Sequence, residues 1–192
     1  LVLLVKNAEG YVNLCKLLSK AYIEGFYYRP RVDKELLSKH SEGLIALSAC
    51  LHGEVAHYIS TGRKDLAEKA AGAYKEIFPD RRFFLEIQDN GMQEQVRVNS
   101  ALIALGKALD IPVVATNDCH YLEKKDARIH DILLCIQTGA TVNQAQRMRF
   151  ATDEFYVKSP REMTAAFKDV PEAISNTIEI AERCNVEFKL NE

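Results

Sequence analysis

Four short apolar runs, each followed by a stretch with helical spacing, constrain this chain more than any other feature. They are Leu1-Val-Leu-Leu-Val, Leu44-Ile-Ala-Leu-Ser-Ala, Phe83-Phe-Leu-Glu-Ile-Gln and Pro112-Val-Val-Ala-Thr. Runs of this length, rich in residues branched at Cβ or aromatic, read as buried strands. Between the first two, Tyr11, Leu14, Leu17, Leu18 and Ala21 recur at i, i+3 and i+4, which predicts an amphipathic helix. Further helices are expected at 32–38 with Asp33 as cap, and at 53–59, 64–78 and 94–109. After the fourth run come a helix at 124–137 ending near Gly139, a last short strand at 155–158, and helices at 160–167 and 171–184. Proline opens both of the last two, where its missing N–H would have no partner in any case. The connections are far longer than hairpin loops, as crossovers between parallel strands require. The expected class is therefore α/β, with parallel strands and outer helices.

Charge and cysteine content narrow the function. The formal net charge of −2 gives no global attraction to nucleic acid, so any such contact must come from local patches. No apolar run approaches the roughly 20 residues of a membrane helix. The five cysteines, Cys15, Cys50, Cys119, Cys135 and Cys184, show no CxxC and no paired spacing, which suits a reducing, cytoplasmic setting. The first residues already read as core strand, without a polar or basic lead-in, so the sequence reads as an internal piece of a longer chain.

Chemistry is expected just past the strand ends, where parallel sheets and barrels gather their functional groups on one face. Those positions offer Ser48 and Cys50, then Glu86 and Asp89, then Asp118 and His120. In extended backbone, residues i and i+2 point to the same side, so Asp118 and His120 converge if the strand geometry continues that far. Thiolate, carboxylate and imidazole are donors that zinc accepts, and the last two also suit manganese or iron. Each has a plainer reading. Asp118 can cap a helix, Cys50 can be a small buried hydrophobe, and Asp89-Asn90-Gly91 is first of all a turn. His40, His52, His57 and His130 read as residues on or ending helices. Two basic-aromatic clusters, Tyr27-Tyr28-Arg29-Pro30-Arg31 and Arg147-Met-Arg149-Phe150, could hold a single strand by stacking and charge. Tyr28, Arg29, Arg31, Arg147 and Arg149 are the candidates, against the alternative that these loops pack on a neighbouring domain.

Several blocks in series resemble one family. Glu24-Gly-Phe-Tyr-Tyr-Arg-Pro-Arg, Glu42-Gly-Leu-Ile-Ala-Leu-Ser-Ala-Cys50-Leu, Val114-Ala-Thr-Asn-Asp118-Cys-His120-Tyr-Leu and Phe155-Tyr-Val-Lys-Ser-Pro are similar to segments of the bacterial replicative polymerase III alpha subunits. The opening Leu1-Val-Leu-Leu-Val-Lys-Asn and Gly10-Tyr-Val-Asn-Leu-Cys-Lys-Leu add to the match, which runs in order through most of the chain. The likeness is to the amino-terminal polymerase-and-histidinol-phosphatase (PHP) domain. It implies a distorted β/α barrel of seven strands with a cluster of up to three metal ions at its C-terminal face. Residues 1–150 would be the later part of that domain, and 151–192 a short α/β segment leading to the polymerase palm.

Cys50 matches the family's cysteine ligand, and Asp118 and His120 match its closing Asp-x-His pair. Glu86 and Asp89 match no ligand. The family's His-x-His motif and its Asp, His and Glu ligands would precede Leu1, a further histidine falling immediately before it, and the palm aspartates would follow Glu192. The resemblance implies a parent that extends primer-template DNA, with zinc or manganese in the PHP site and magnesium at the polymerase site. Its partners would be the rest of the alpha subunit, a proofreading exonuclease subunit, the sliding clamp and the clamp loader. The PHP site would serve as a 3′–5′ proofreading nuclease in some members. In others it would be a non-catalytic scaffold that docks the exonuclease subunit. A free-standing PHP phosphoesterase is the remaining alternative.

Overall fold

In the computed structural model, which describes residues 1–188, the first strand departs from expectation. The element order is β1 (Val2–Val5), α1 (Ala8–Ile23), α2 (Lys34–Lys39), β2 (Leu44–Leu47), α3 (Glu54–Ser60), α4 (Lys64–Ile77), β3 (Phe83–Gln88), α5 (Gln93–Leu109), β4 (Val113–Thr116), a 3-10 turn (Lys124–Asp126), α6 (Ala127–Thr138), α7 (Pro160–Ala166) and α8 (Pro171–Arg183). The strands form one four-stranded sheet in the order β1-β2-β3-β4. β2, β3 and β4 run parallel, but β1 is antiparallel to β2, with Val2 opposite Leu47 and Val5 opposite Leu44. The all-parallel expectation is thus corrected at its first member. α1 leaves from the end of β1, and residues 24–43 bring the chain back to that same end. There Lys6 N–H donates to Gly43 O and the Asn13 amide to Glu42 O, both at about 2.8–2.9 Å. The expected strand at 155–158 is also corrected: it is a single parallel bridge between Tyr121 and Tyr156.

The helix starts follow local chemistry. Asn7 caps α1 by accepting from Gly10 N–H, Asp33 caps α2 through Leu36 N–H, and Ser159 with Glu162 makes a reciprocal box at α7. Each satisfies N–H groups that a first helical turn leaves without partners.

The two faces of the sheet bury different things. One face carries Leu44, Ala46, Phe83, Leu85, Ile87, Val113 and Ala115 into a core with α3, α4 and α5. The other carries Ile45, Leu47, Phe84 and Val114, covered by Ile180 of α8. The α8 side chain Asn176 donates to Val113 O at 2.7 Å, and Arg183 donates to Arg81 O at 2.8 Å. Each fully buried Leu, Ile, Phe or Val is worth about 1.5–3 kcal/mol, so α8 is an integral cover for this sheet. By the two-residue alternation of a strand, Glu86 and Gln88 share the face of Phe84, and Thr116 that of Val114. This second face is therefore apolar where β3 and β4 begin and polar where they end.

The return to β2 depends on a close approach of two glycines. A Cβ on Gly10 would lie 1.8 Å from Gly43 O, and Gly43 itself has φ +72°. Gly72, in the middle of α4, has nothing within 4 Å of where a Cβ would stand. Gly10→Ala is expected to cost roughly 1–3 kcal/mol by overpacking, whereas Gly72→Ala should add about 0.5–1 kcal/mol of helix stability. Urea unfolding midpoints of the two variants should move in opposite directions from the wild type.

Candidate metal centre

The ends of β2, β3 and β4 meet around one buried carboxylate. Glu86, 6% exposed, accepts from Ala49 N–H through Oε2 at 3.0 Å. Its other oxygen, Oε1, accepts from the Gln88 amide at 3.0 Å and from the Thr116 hydroxyl. The Glu86 backbone N–H in turn donates to Ser48 Oγ at 2.8 Å. Ala49 stands at φ +66°, a left-handed conformation unusual for a residue with a side chain. Glu86 thus fixes both the turn that carries Cys50 and the strand end two residues before Asp118. Sequence reasoning placed Glu86 among the candidates but could not give it this linking part, because all but one of its side-chain partners are remote in the chain.

Past β4 the expected convergence occurs. Asp118 Oδ1 lies 3.2 Å from His120 Nε2, with both side chains about one-third exposed. The backbone N–H of His120 donates to Phe155 O at 2.8 Å, and the Asn117 amide donates to Tyr156 O at 3.0 Å. A collar of rings holds the imidazole: Phe150 at 4.7 Å and Phe155 at 5.4 Å, both edge-on, and His130 at 5.6 Å. Burial, and then the neighbouring His120, hold the His130 imidazole below its ordinary pKa. Asn90, fully buried, ties the end of β3 to this segment: its amide donates to Glu154 O at 3.0 Å and Asp118 O at 3.4 Å. The Asp-Asn-Gly signal marked it first as a turn and only second as part of a site. Asp89 does make that turn, accepting from Gly91 N–H at 3.0 Å.

Cys50 does not join the pair. Its Sγ lies 3.8 Å from Nδ1 of His52, so the candidate donors fall into two couples, Asp118 with His120 and Cys50 with His52. Among the described residues no group of three or more His, Cys, Asp or Glu is placed to hold an ion. Protein-bound zinc takes three or four such donors. The donor types fit a metal, but the set within this chain is incomplete. Two buried acceptors at the same strand ends, Gln88 Oε1 and Asn117 Oδ1, have no hydrogen-bond partner among the described residues.

The basic-aromatic candidates separate in the same way. Arg147 is committed to Asp131, with Nη2 2.7 Å from Oδ2 and a side chain only 6% exposed. Arg149 is exposed and makes no ion pair among the described residues. Tyr28, at φ +59°, packs edge-on against Tyr27 at 4.6 Å, and the Arg31 guanidinium lies 5.3 Å from the Tyr27 ring. Tyr27 N–H donates to Arg29 O at 3.1 Å, closing a local loop. These residues form a self-contained exposed knuckle, distant in sequence from the strand ends.

Thr116→Val keeps side-chain volume but removes a donor from a buried carboxylate. It is expected to cost about 1–3 kcal/mol, read as a lowered urea midpoint, whereas Thr141→Val on the exposed loop should leave the midpoint nearly unchanged.

Comparison with known proteins gives the chain its relatives. Residues 1–90 match the family model of the PHP domain. The chain is 50% identical over 186 residues to the DNA polymerase III subunit alpha of Treponema pallidum (strain Nichols), which covers 97% of this chain and 16% of that protein. It is 46% identical to the subunit of the same name from Thermus aquaticus, over 100% of this chain and 16% of the relative. It is 48% identical to that of Deinococcus radiodurans, over 98% of this chain and 14% of the relative. The chain therefore spans about one-sixth of the length of these relatives. With overall identity of 46–50% across 97–100% of its length, the chain belongs to the DNA polymerase III alpha subunit family and carries its PHP region.

Proposed function

We propose that this chain is part of a DNA-directed DNA polymerase that copies chromosomal DNA, and that it contributes the PHP site of that enzyme. In this reading nucleotide transfer belongs to other parts of the parent, since the chain spans about one-sixth of its relatives' length. The PHP site is a divalent-metal centre, holding zinc or manganese, in which Cys50, Asp118 and His120 supply part of the ligand set. Magnesium serves the polymerase site of the same parent. The observation that carries this reading is the Asp118–His120 pair, 3.2 Å apart at the end of a parallel strand. The direction of β1 supports it as well. Because Val2 pairs with Leu47, the chain enters β1 beside the turn that carries Cys50. A histidine preceding Leu1 in the parent would then stand at the same mouth, and further strands would close the sheet into the seven-stranded barrel. In this reading residues 1–150 are PHP domain and 151–192 lead toward the palm, with α8 as the cover between them.

The activity proposed for the complete site is 3′–5′ hydrolysis of DNA. A second reading is favoured by the division of the donors into two couples, with no group of three among the described residues: the PHP region is then a scaffold that docks the proofreading exonuclease subunit. In either case the parent works in the bacterial cytoplasm with the sliding clamp, the clamp loader and primer-template DNA. No helix among the described residues is long and apolar enough to cross a membrane. A free-standing phosphoesterase is disfavoured, because alpha-subunit relatives match residues well beyond the PHP model.

The test uses the full-length alpha subunit freed of any separate exonuclease. Asp118→Ala is expected to lower bound zinc or manganese, and to reduce degradation of 3′-labelled single-stranded DNA by at least roughly 100-fold, with primer extension unchanged. Equal degradation by both proteins would leave the scaffold reading standing.

A further inference from the structure

Beside the Asp118–His120 pair, α6 and the segment 147–153 form an open recess of about 360 Å³. Its lining includes Tyr121, His130 and Phe150, together with the exposed Arg128 and Arg149. Both acidic side chains in its lining have a cationic neighbour. Asp131 is paired with Arg147, and Asp153 lies 3.5 Å from Lys124, which it shares with Glu154. Arg128 and Arg149 are exposed, and neither makes an ion pair among the described residues. What remains open is two guanidinium groups over an aromatic-walled recess.

We propose that this recess is a nucleotide-binding pocket for single-stranded DNA, with Arg128 and Arg149 on the phosphates and the rings of Tyr121 and Phe150 against a base. The size lies within the range of about 300–1,000 Å³ typical of small-ligand sites. Stacking of one base on an aromatic ring is worth roughly 1–3 kcal/mol and tolerates any sequence. Guanidinium groups supply planar, bidentate contacts that suit phosphate oxygens. An acidic peptide would use the arginines and leave the rings idle, so the joint presence of both favours a nucleotide. Phe150 also touches the His120 ring at 4.7 Å, edge-on, which sets the pocket directly beside the pair. The inference goes beyond the nuclease and scaffold readings, since a strand can rest here under either.

The polymerase site of the full-length alpha subunit also binds DNA, so the test must report position. Oligothymidine with a 3′-terminal 5-iodouracil is photo-crosslinked to the full-length subunit in excess EDTA, and the adducts are mapped by peptide mass spectrometry. Adducts are expected on Tyr121, His130 or Phe150. They should fall roughly tenfold in the Arg128→Glu/Arg149→Glu double variant, with adducts at the polymerase site unchanged. Both arginines are exposed, and an unchanged melting temperature checks that the variant is folded. Absence of adducts between residues 121 and 153 would overturn the proposal. So would adducts that charge reversal leaves intact, or that polyglutamate suppresses as well as unlabelled oligothymidine does. Crosslinking is read without metal, so its failure and the loss of nuclease in Asp118→Ala are separate results.

Discussion

A lone buried carboxylate ties together the C-terminal ends of the parallel strands in this sheet. Removing an ionised group from water costs several kcal/mol unless nearby donors replace the lost hydration. Glu86 has no cationic partner among the described residues, and it is satisfied by one backbone N–H, one amide and one hydroxyl. Those three donors come from three different strand ends, at Ala49, Gln88 and Thr116. The carboxylate can be solvated only when all three strands are in register, so its desolvation cost becomes a constraint on geometry. Cys50 follows one of these anchor points directly, and Asp118 lies two residues beyond another.

The second face of the sheet has a split character for the same reason. Near the strand starts it is apolar, and α8 covers it through Ile180. Near the strand ends it turns to Glu86, Gln88 and Thr116, which an apolar helix face could not satisfy. The segment after α6 completes the arrangement by strapping the loop beyond β4 with Thr152, Glu154, Phe155 and Tyr156, through contacts to Asn90, Asn117 and His120. A stretch that reads as an exit from the domain therefore also holds the Asp118–His120 pair in place.

The candidate site was legible where its chemistry is local. Asp118 and His120 are two residues apart, so their meeting is a local event, although β4 ends at Thr116 and His120 sits in a bend rather than in continuing strand. Cys50 belongs to another turn, tied to Glu86 through Ala49 N–H, a remote contact that no spacing rule encodes. Asn90 carries an ordinary turn signal, and its buried bonds to residues 118 and 154 appear only when three segments are brought together. Arg147 and Arg149 look equivalent in sequence, yet the first is bonded to Asp131 with its side chain 6% exposed, and the second is exposed without an ion pair among the described residues. The difference comes from α6, which sets Asp131 at bonding distance from Arg147, while Arg149 acts on it through charge alone.

Sequence alone determined the elements: the four strands, the helices between them with the Asp33 cap, and the clustering of polar groups at strand ends. These rest on periodicity and on hydrogen bonds spanning three or four residues, and both are local. Tertiary structure decided the direction of β1, because the path by which residues 24–43 return depends on the contact between Gly10 and Gly43. It also decided that residues 155–158 make one bridge, that α8 closes the second face, and that the donors divide into two couples. Each of those outcomes is fixed by packing or hydrogen bonding between segments far apart in the chain, where residue spacing carries no information.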